Sequence, residues 1–213
     1  MIIYVLVLIM AYLIGSINFS IIISKKMAGF DIREKGSGNA GSTNMLRSIG
    51  KKAAALTLVC DILKGVVPVL LAILIGRIAN NFGMELYVEY LAQIAGVATI
   101  IGHTFPIYYG FKGGKGVASS LGLLLVINWQ VGLICLVFAL LIMAFTRMVS
   151  AGSVTAAILF PVLIIFGVGT QYFITPGNYM VFSIILAAIV IFNHRSNIKR
   201  ILSGTENKLS FKK

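Results

Sequence analysis

Residues 117–145 read VASSLGLLLVINWQVGLICLVFALLIMAF, an apolar run with the polar group Asn128-Trp129-Gln130 near its middle. As a single helix it would extend about 43 Å at about 1.5 Å per residue, well beyond a hydrocarbon core of about 30 Å. As two short helices it turns at Asn128, and Trp129 falls at the membrane interface, where its amphipathic ring is favoured. The choice decides how many times the chain crosses and on which side it ends. Further apolar stretches lie at 2–23, 53–75, 86–102, 152–168 and 178–193, so division at Asn128 gives seven, with the central pair at 117–128 and 131–145.

Charge favours the division. With seven spans, sixteen of the eighteen Lys and Arg residues fall in segments on one side: Lys25 to Lys52, Lys112 and Lys115, Arg147, and Arg195 to Lys213. Lys64 lies within the second span and Arg77 on the opposite side. Cytoplasmic loops retain cations, so the expectation is an all-α integral membrane protein of about seven transmembrane helices, N-terminus outside and C-terminus cytoplasmic. The first run, from Met1 to about Ile23, has no cation before it and is too long for a signal-peptide core. Residues 1–202 read as a single transmembrane helical domain, and 203–213 as a basic, disordered cytoplasmic tail.

Composition agrees. Of 213 residues, 59% are hydrophobic and 11% charged, with mean hydropathy +0.99; a soluble domain carries roughly 25% charged residues. The net charge of +12 is explained by retained inner loops and attraction to anionic membrane lipid, without nucleic acid. Cys60 and Cys135 lie in apolar stretches and read as packing residues. His103 and His194, with no carboxylates gathered near them in the sequence, offer no metal cluster.

The polar chemistry is concentrated in the inner segments. Residues 36–47 read GSGNAGSTNMLR. Gly36, Gly38 and Gly41 permit close backbone approach, so N–H groups can turn toward an anion. Ser37, Asn39, Thr43 and Asn44 add neutral hydrogen bonds, and Arg47 a planar cationic fork. With a helix starting near Ser42, Thr43, Asn44 and Arg47 share a face. Residues 102–119 include His103-Thr104-Phe105-Pro106 and then Lys112-Gly113-Gly114-Lys115-Gly116, just before an apolar helix; this also reads as an anion site. It is not a Walker A loop, since Gly116 follows Lys115 where Ser or Thr would bind magnesium. Gly36-x-Gly38-x-x-Gly41 follows a membrane span and not a strand, which excludes a dinucleotide fold. Thr146, Arg147, Ser150 and Ser153 mark another helix start. His194 and Asn197 lie one turn apart if the last helix continues. Asp61 and Lys64 form an i, i+3 charge pair inside a span, read as a tie between helices.

Together these form a one-sided, cation-rich and acid-poor set suited to phosphorylated ligands. A small-anion transporter is the competing class, but such proteins place sites at the midplane between repeats, and no repeat is evident. A structural scaffold would leave the anion-shaped loops unexplained.

Residues 36–47, 102–118 and 193–200 resemble, in order, the three signature motifs of the bacterial membrane-integral acyl-phosphate:glycerol-3-phosphate acyltransferases. The resemblance covers nearly the whole chain, including Asp61-Ile-Leu-Lys64-Gly65; Ser119 stands where the family more often has Thr. It implies transfer of a fatty acyl group from acyl-phosphate to the 1-hydroxyl of glycerol 3-phosphate, giving lysophosphatidic acid and phosphate at the cytoplasmic face of the bacterial plasma (inner) membrane. By the same resemblance Lys115, His194, Arg47 and Ser37 are expected to be catalytic. Gly38, Asn39, Gly41, Thr43, Asn44, Gly113, Gly114, Gly116, Ser150 and Asn197 are expected to bind substrate, the glycines as backbone cradles. No cofactor or metal is implied. An enzyme that makes acyl-phosphate is an expected functional partner. The His-x₄-Asp signature of the soluble glycerol-phosphate acyltransferases is missing, with Tyr108 and Lys199 where the aspartate would stand.

Overall fold

The computed structural model describes residues 1–169 and 176–209; the expected outer loop at 167–177 and tail at 203–213 lie partly outside them. Ten α-helices order these residues: α1 (Ile2–Gly15), α2 (Phe19–Ala28), α3 (Ser42–Ser48), α4 (Lys51–Asn81), α5 (Val88–Thr104), α6 (Val117–Ile127), α7 (Trp129–Thr146), α8 (Val149–Ile165), α9 (Pro176–Asn193) and α10 (Arg195–Leu202). The chain forms two compact units that divide between Ile127 and Asn128. The division falls at the polar group that breaks the apolar run.

Each of the seven apolar stretches read from the sequence is mostly helical. Among the described residues four helical stretches are long and apolar enough to cross a membrane: Ile2–Ala28, Lys51–Asn81, Val88–Tyr109 and Trp129–Thr146. The bent pair Gly177–Asn193 and Arg195–Leu202 makes a fifth. At about 1.5 Å per residue, α6 extends about 16 Å and α8 about 26 Å, short of a core of about 30 Å.

The local breaks have local causes. The first apolar run is not one helix; it stops at Gly15 and restarts at Phe19. Asn18 caps α2, its side chain accepting from the Ile21 amide at 3.3 Å and from Ser20 Oγ at 2.7 Å, which satisfies N–H groups that a helix start leaves open. Asn128 caps α7 in the same way, accepting from the Val131 amide at 3.2 Å. Gly29 (φ +75°) ends α2.

In the first unit α1 packs on α5, and α4 packs on both α5 and α6. These contacts are backbone-close. A methyl group on Gly65 would run into the Ser119 carbonyl, and one on Gly122 into the Ile62 carbonyl. On the α1–α5 face, Gly15 meets the Thr99 carbonyl and Gly102 the Tyr12 carbonyl. Small residues at such crossings are how membrane helices gain packing where no hydrophobic drive is left. In the second unit α7 packs on α8, and α8 on α9, while α10 touches both α8 and α9.

Lys64, 3% exposed, joins the break to the bundle. Its Nζ lies 3.1 Å from Asp61 Oδ1 and donates to the Ile17 carbonyl at 2.8 Å. The expected helix tie is present, and its partner is the interrupted backbone between α1 and α2.

Replacing Gly122 with Val should cost about 1–3 kcal/mol of stability, the usual penalty for overpacking, with the bulkier residue prying α4 from α6. Gly177→Ala, which meets nothing within 4 Å, should be neutral. Thermal unfolding of both variants in detergent decides: equal melting points would show that the α4–α6 approach is not the constraint.

Candidate active site

The two glycine-rich loops meet in the first unit. After Gly29 the chain runs through a 3₁₀ turn at Ile32–Glu34 and into α3 at Ser42, the helix start expected from the sequence. Its apolar underside is a small core of Ile21, Ile23, Ile32, Ala40, Met45 and Ala53, with Phe30 and Tyr109 packed against it. Ile32, Ala40 and Met45 are wholly buried. The polar residues of 34–38 and Arg47 are exposed above them.

Asn44 shapes this loop. Its side chain is 1% exposed, and Nδ2 donates to the carbonyls of Ile32 (3.0 Å), Lys35 (2.9 Å) and Asn39 (3.1 Å). Its Oδ1 accepts from the Ser37 amide at 2.9 Å, and Gly36 passes too close to it to carry a side chain. Asn44 therefore spends its amide on the loop backbone, where the sequence pointed to ligand contact.

The glycine amides also have acceptors within the protein. The amide of Gly38 donates to the Lys35 carbonyl and that of Gly41 to the Asn39 carbonyl, each at 3.1 Å. In the second loop Gly113 donates to Thr104 and Gly114 to His103, each at 3.0 Å. These four amides close turns. What demands glycine at 113 and 114 is crowding: a methyl group would strike the His103 carbonyl at the first and the His103 ring at the second, where Ala40 O would also lie 2.6 Å away. That contact places the loop carrying Lys115 against the loop carrying Ser37 and Asn39. Gly116 (φ +84°) turns the chain into α6 beside Ile100. Lys115 is half-buried and Thr43 likewise.

Arg33 binds the two loops together. Its NH1 donates to the carbonyls of Tyr109 (2.7 Å) and Lys112 (3.1 Å), while Asp31 accepts from its Nε (3.0 Å) and NH2 (2.9 Å). The Arg33 fork holds the Asp31 carboxyl below the usual carboxylate range. Beneath them, His103 Nδ1 lies 3.9 Å from Asp61 Oδ1, so a carboxylate does stand near this histidine, against expectation: the two are brought together by helix packing.

The second unit carries its own polar cluster. The last helix does not continue through His194; it bends by 63° between Asn193 and Arg195. His194 sits at the break, 2% exposed, with Nδ1 2.8 Å from the Val190 carbonyl. A carbonyl only accepts, so Nδ1 donates to it. Three residues on, Asn197 Nδ2 donates to Glu206 Oε1 at 2.7 Å. Ser150 Oγ donates to the same oxygen at 2.9 Å, and Arg200 Nε to Oε2 at 2.8 Å. Glu206, absent from the sequence-based site, thus collects two expected substrate-binding residues, Ser150 and Asn197. It lies in a stretch expected to be disordered, yet Glu206 is buried and Leu209 donates to the Arg147 carbonyl at 2.7 Å. Its one legible signal was a lone acid among cations.

The glycerol-3-phosphate acyltransferase family model matches residues 5–204. The chain belongs to that family. A glycerol-3-phosphate acyltransferase of Clostridioides difficile (strain 630) is 44% identical over 99% of this chain and 97% of its own. One from Thermoanaerobacter sp. (strain X514) is 46% identical over 98% and 96%. The crystal structure of PlsY (YgiH), an integral membrane glycerol 3-phosphate acyltransferase, in its glycerol 3-phosphate form superposes with a TM-score of 0.82 at 38% identity, over 97% of this chain and 96% of that one. Its lysophosphatidic acid form gives 0.79 at 36% identity, over 97% and 95%.

The buried Glu206 carboxyl links folding to pH. Burial pushes the Glu206 carboxyl up, but the hydrogen bonds from Asn197, Ser150 and Arg200 outweigh it and hold the group below its ordinary value. A carboxyl lowered on folding contributes stability above its unfolded pKa, about 4.3, and loses it as pH falls through the folded value. Thermal unfolding across pH should show the wild type well above Glu206→Gln near neutrality, with the gap closing below about pH 4. A gap that stays constant with pH would remove the charge of Glu206 from the explanation.

Proposed function

We propose that this acyltransferase moves a fatty acyl group from acyl-phosphate to the 1-hydroxyl of glycerol 3-phosphate, at the cytoplasmic face of a bacterial plasma membrane. The observation that carries this reading is the pair of packed loops bearing Ser37, Arg47 and Lys115, in a chain whose solved relatives include a glycerol 3-phosphate form and a lysophosphatidic acid form. Both substrates are anionic, and the loops present side-chain donors on a rigid floor.

The reaction is an acyl transfer from a mixed anhydride, so no covalent intermediate is needed. The hydroxyl oxygen attacks the acyl carbon and forms the new ester C–O bond. The bond from that carbon to the phosphate oxygen breaks, and phosphate leaves with the electron pair. The hydroxyl proton passes to a phosphate oxygen of the donor. Arg47 and Lys115 hold phosphate oxygens and stabilise the charge that develops on the acyl oxygen and leaving group. Ser37 and Thr43 supply neutral hydrogen bonds. In the second unit His194 serves as a phosphate ligand, and Ser150 and Asn197, both bonded to Glu206, are its neutral substrate-binding companions. Placing the two reactants accounts for roughly 7–11 kcal/mol of rate enhancement.

Purified protein with acyl-phosphate and glycerol 3-phosphate should release phosphate and form lysophosphatidic acid, with acyl-CoA inactive as donor. Equal use of acyl-CoA would refute the donor assignment. Arg47→Ala and Lys115→Ala should each lower kcat/KM about 100- to 1,000-fold, the usual cost of removing a charge-stabilising donor, with folding intact. Full turnover in Lys115→Ala would sink its role.

The same reading takes seven spans with the N-terminus outside. In a chain with Cys60 and Cys135 changed to Ala, a cysteine at position 81 should react with a membrane-impermeant maleimide from outside, and one at 51 from inside. The reverse pattern would invert the topology.

A further inference from the structure

We infer that Arg33 is a positioning residue for the reaction, clamping the turn that carries Lys115. Three observations converge. The first is the fixing of the guanidinium plane. Asp31 Oδ1 accepts from the Arg33 amide at 3.0 Å and from Nε at 3.0 Å, while Oδ2 accepts from NH2 at 2.9 Å. Lys25 Nζ stands 3.8 Å from Oδ2 on the other side. With two of its nitrogens engaged by the carboxylate, the fork has one direction left for NH1.

The second is where NH1 points. It donates to Tyr109 O and Lys112 O, residues 76 and 79 positions away in sequence. These carbonyls bracket Phe111, a non-glycine residue at φ +59°. That left-handed conformation is uncommon for a bulky side chain and persists only where its surroundings impose it. Arg33 grips the backbone on both sides of the strained residue.

The third is the route to Lys115. From Lys112 the chain passes through Gly113 and Gly114, whose amides are pinned to Thr104 and His103, straight into Lys115. The turn is anchored at one end to α5 and on its flank to Arg33, so the clamp sets the height and direction at which Lys115 leaves the backbone. A lysine in place of Arg33 keeps the charge but has no planar fork, and its single nitrogen cannot hold two carboxylate oxygens and two carbonyls together.

The catalytic consequence rests on the proposed role of Lys115; the clamp itself does not. The test uses the full chain in lipid nanodiscs, with Arg33→Lys and Arg33→Met, read by steady-state kinetics, thermal unfolding and amide hydrogen exchange. Both variants should lose about 10- to 100-fold in kcat/KM, the range for charge-assisted hydrogen bonds lost. Exchange should accelerate within 104–117 and stay unchanged in α1, α7 and α8. Arg33→Lys, the gentler change, keeps the test informative where Arg33→Met unfolds. Unchanged exchange at 104–117, acceleration spread through the whole chain, or full activity despite accelerated local exchange each overturns the inference. Full turnover in Lys115→Ala refutes the role of Lys115 instead, and leaves the exchange result to decide the clamp.

Discussion

Lys64 holds the first unit together at its most demanding point. A chain crossing a bilayer has no water to satisfy an interrupted helix, so a break needs a donor or acceptor from elsewhere in the protein. Between α1 and α2 the Ile17 carbonyl receives that donor from Lys64, whose charge is matched by Asp61 one turn earlier. Neither group would be cheap alone; a buried ion left without its partner is strongly destabilising. Paired, they fix α4 against the break. The chain can then leave its first helix, start α2 at the Asn18 cap, and enter the loop that carries Ser37 and Arg47. The position of that loop is therefore a consequence of a charge pair far from it in sequence.

A second constraint acts on the loops themselves. A glycine-rich segment is a poor platform unless something stops it from sampling other conformations, since glycine loses the most entropy on ordering. Here the amides of Ser37, Gly38, Gly41, Gly113 and Gly114 are all spent on internal acceptors, and Asn44 gathers three carbonyls. Those bonds hold the turns of both loops. On the proposed reaction, a frame ordered before the substrates arrive makes orientation effective in a transfer between two anions.

Much of this was legible in the sequence, and the rest was hidden for a common reason. The start of α3 at Ser42, the break at Asn128 and the Asp61–Lys64 pair follow from local spacing, which a linear sequence displays. The three polar motifs were visible as motifs. What local spacing cannot show is which distant group consumes a donor. The sequence offered Gly113 and Gly114 as open cradles, yet their amides meet carbonyls at the end of α5. It offered Asn44 as a ligand, yet its acceptors lie up to twelve residues away. His103 and Asp61 share no pattern and meet only through helix packing. Glu206 stood among cations in a stretch resembling a disordered tail, and its three donors come from α8 and α10.

The acids explain why so cationic a protein is not simply a charged surface. Of six carboxylates, Asp31, Asp61 and Glu206 are buried, and each engages a cation: Arg33, Lys64 and Arg200 respectively. In each case the pair does more than cancel charge. Arg33 goes on to grip Tyr109 and Lys112, Lys64 to cap Ile17, and Glu206 to gather Ser150 and Asn197. A lone cation in those places would attract a phosphate and misplace it. Matched with an acid, it becomes a fixed strut whose remaining donors point one way. Burial thus divides the acids: the three buried carboxylates are each paired with a cation.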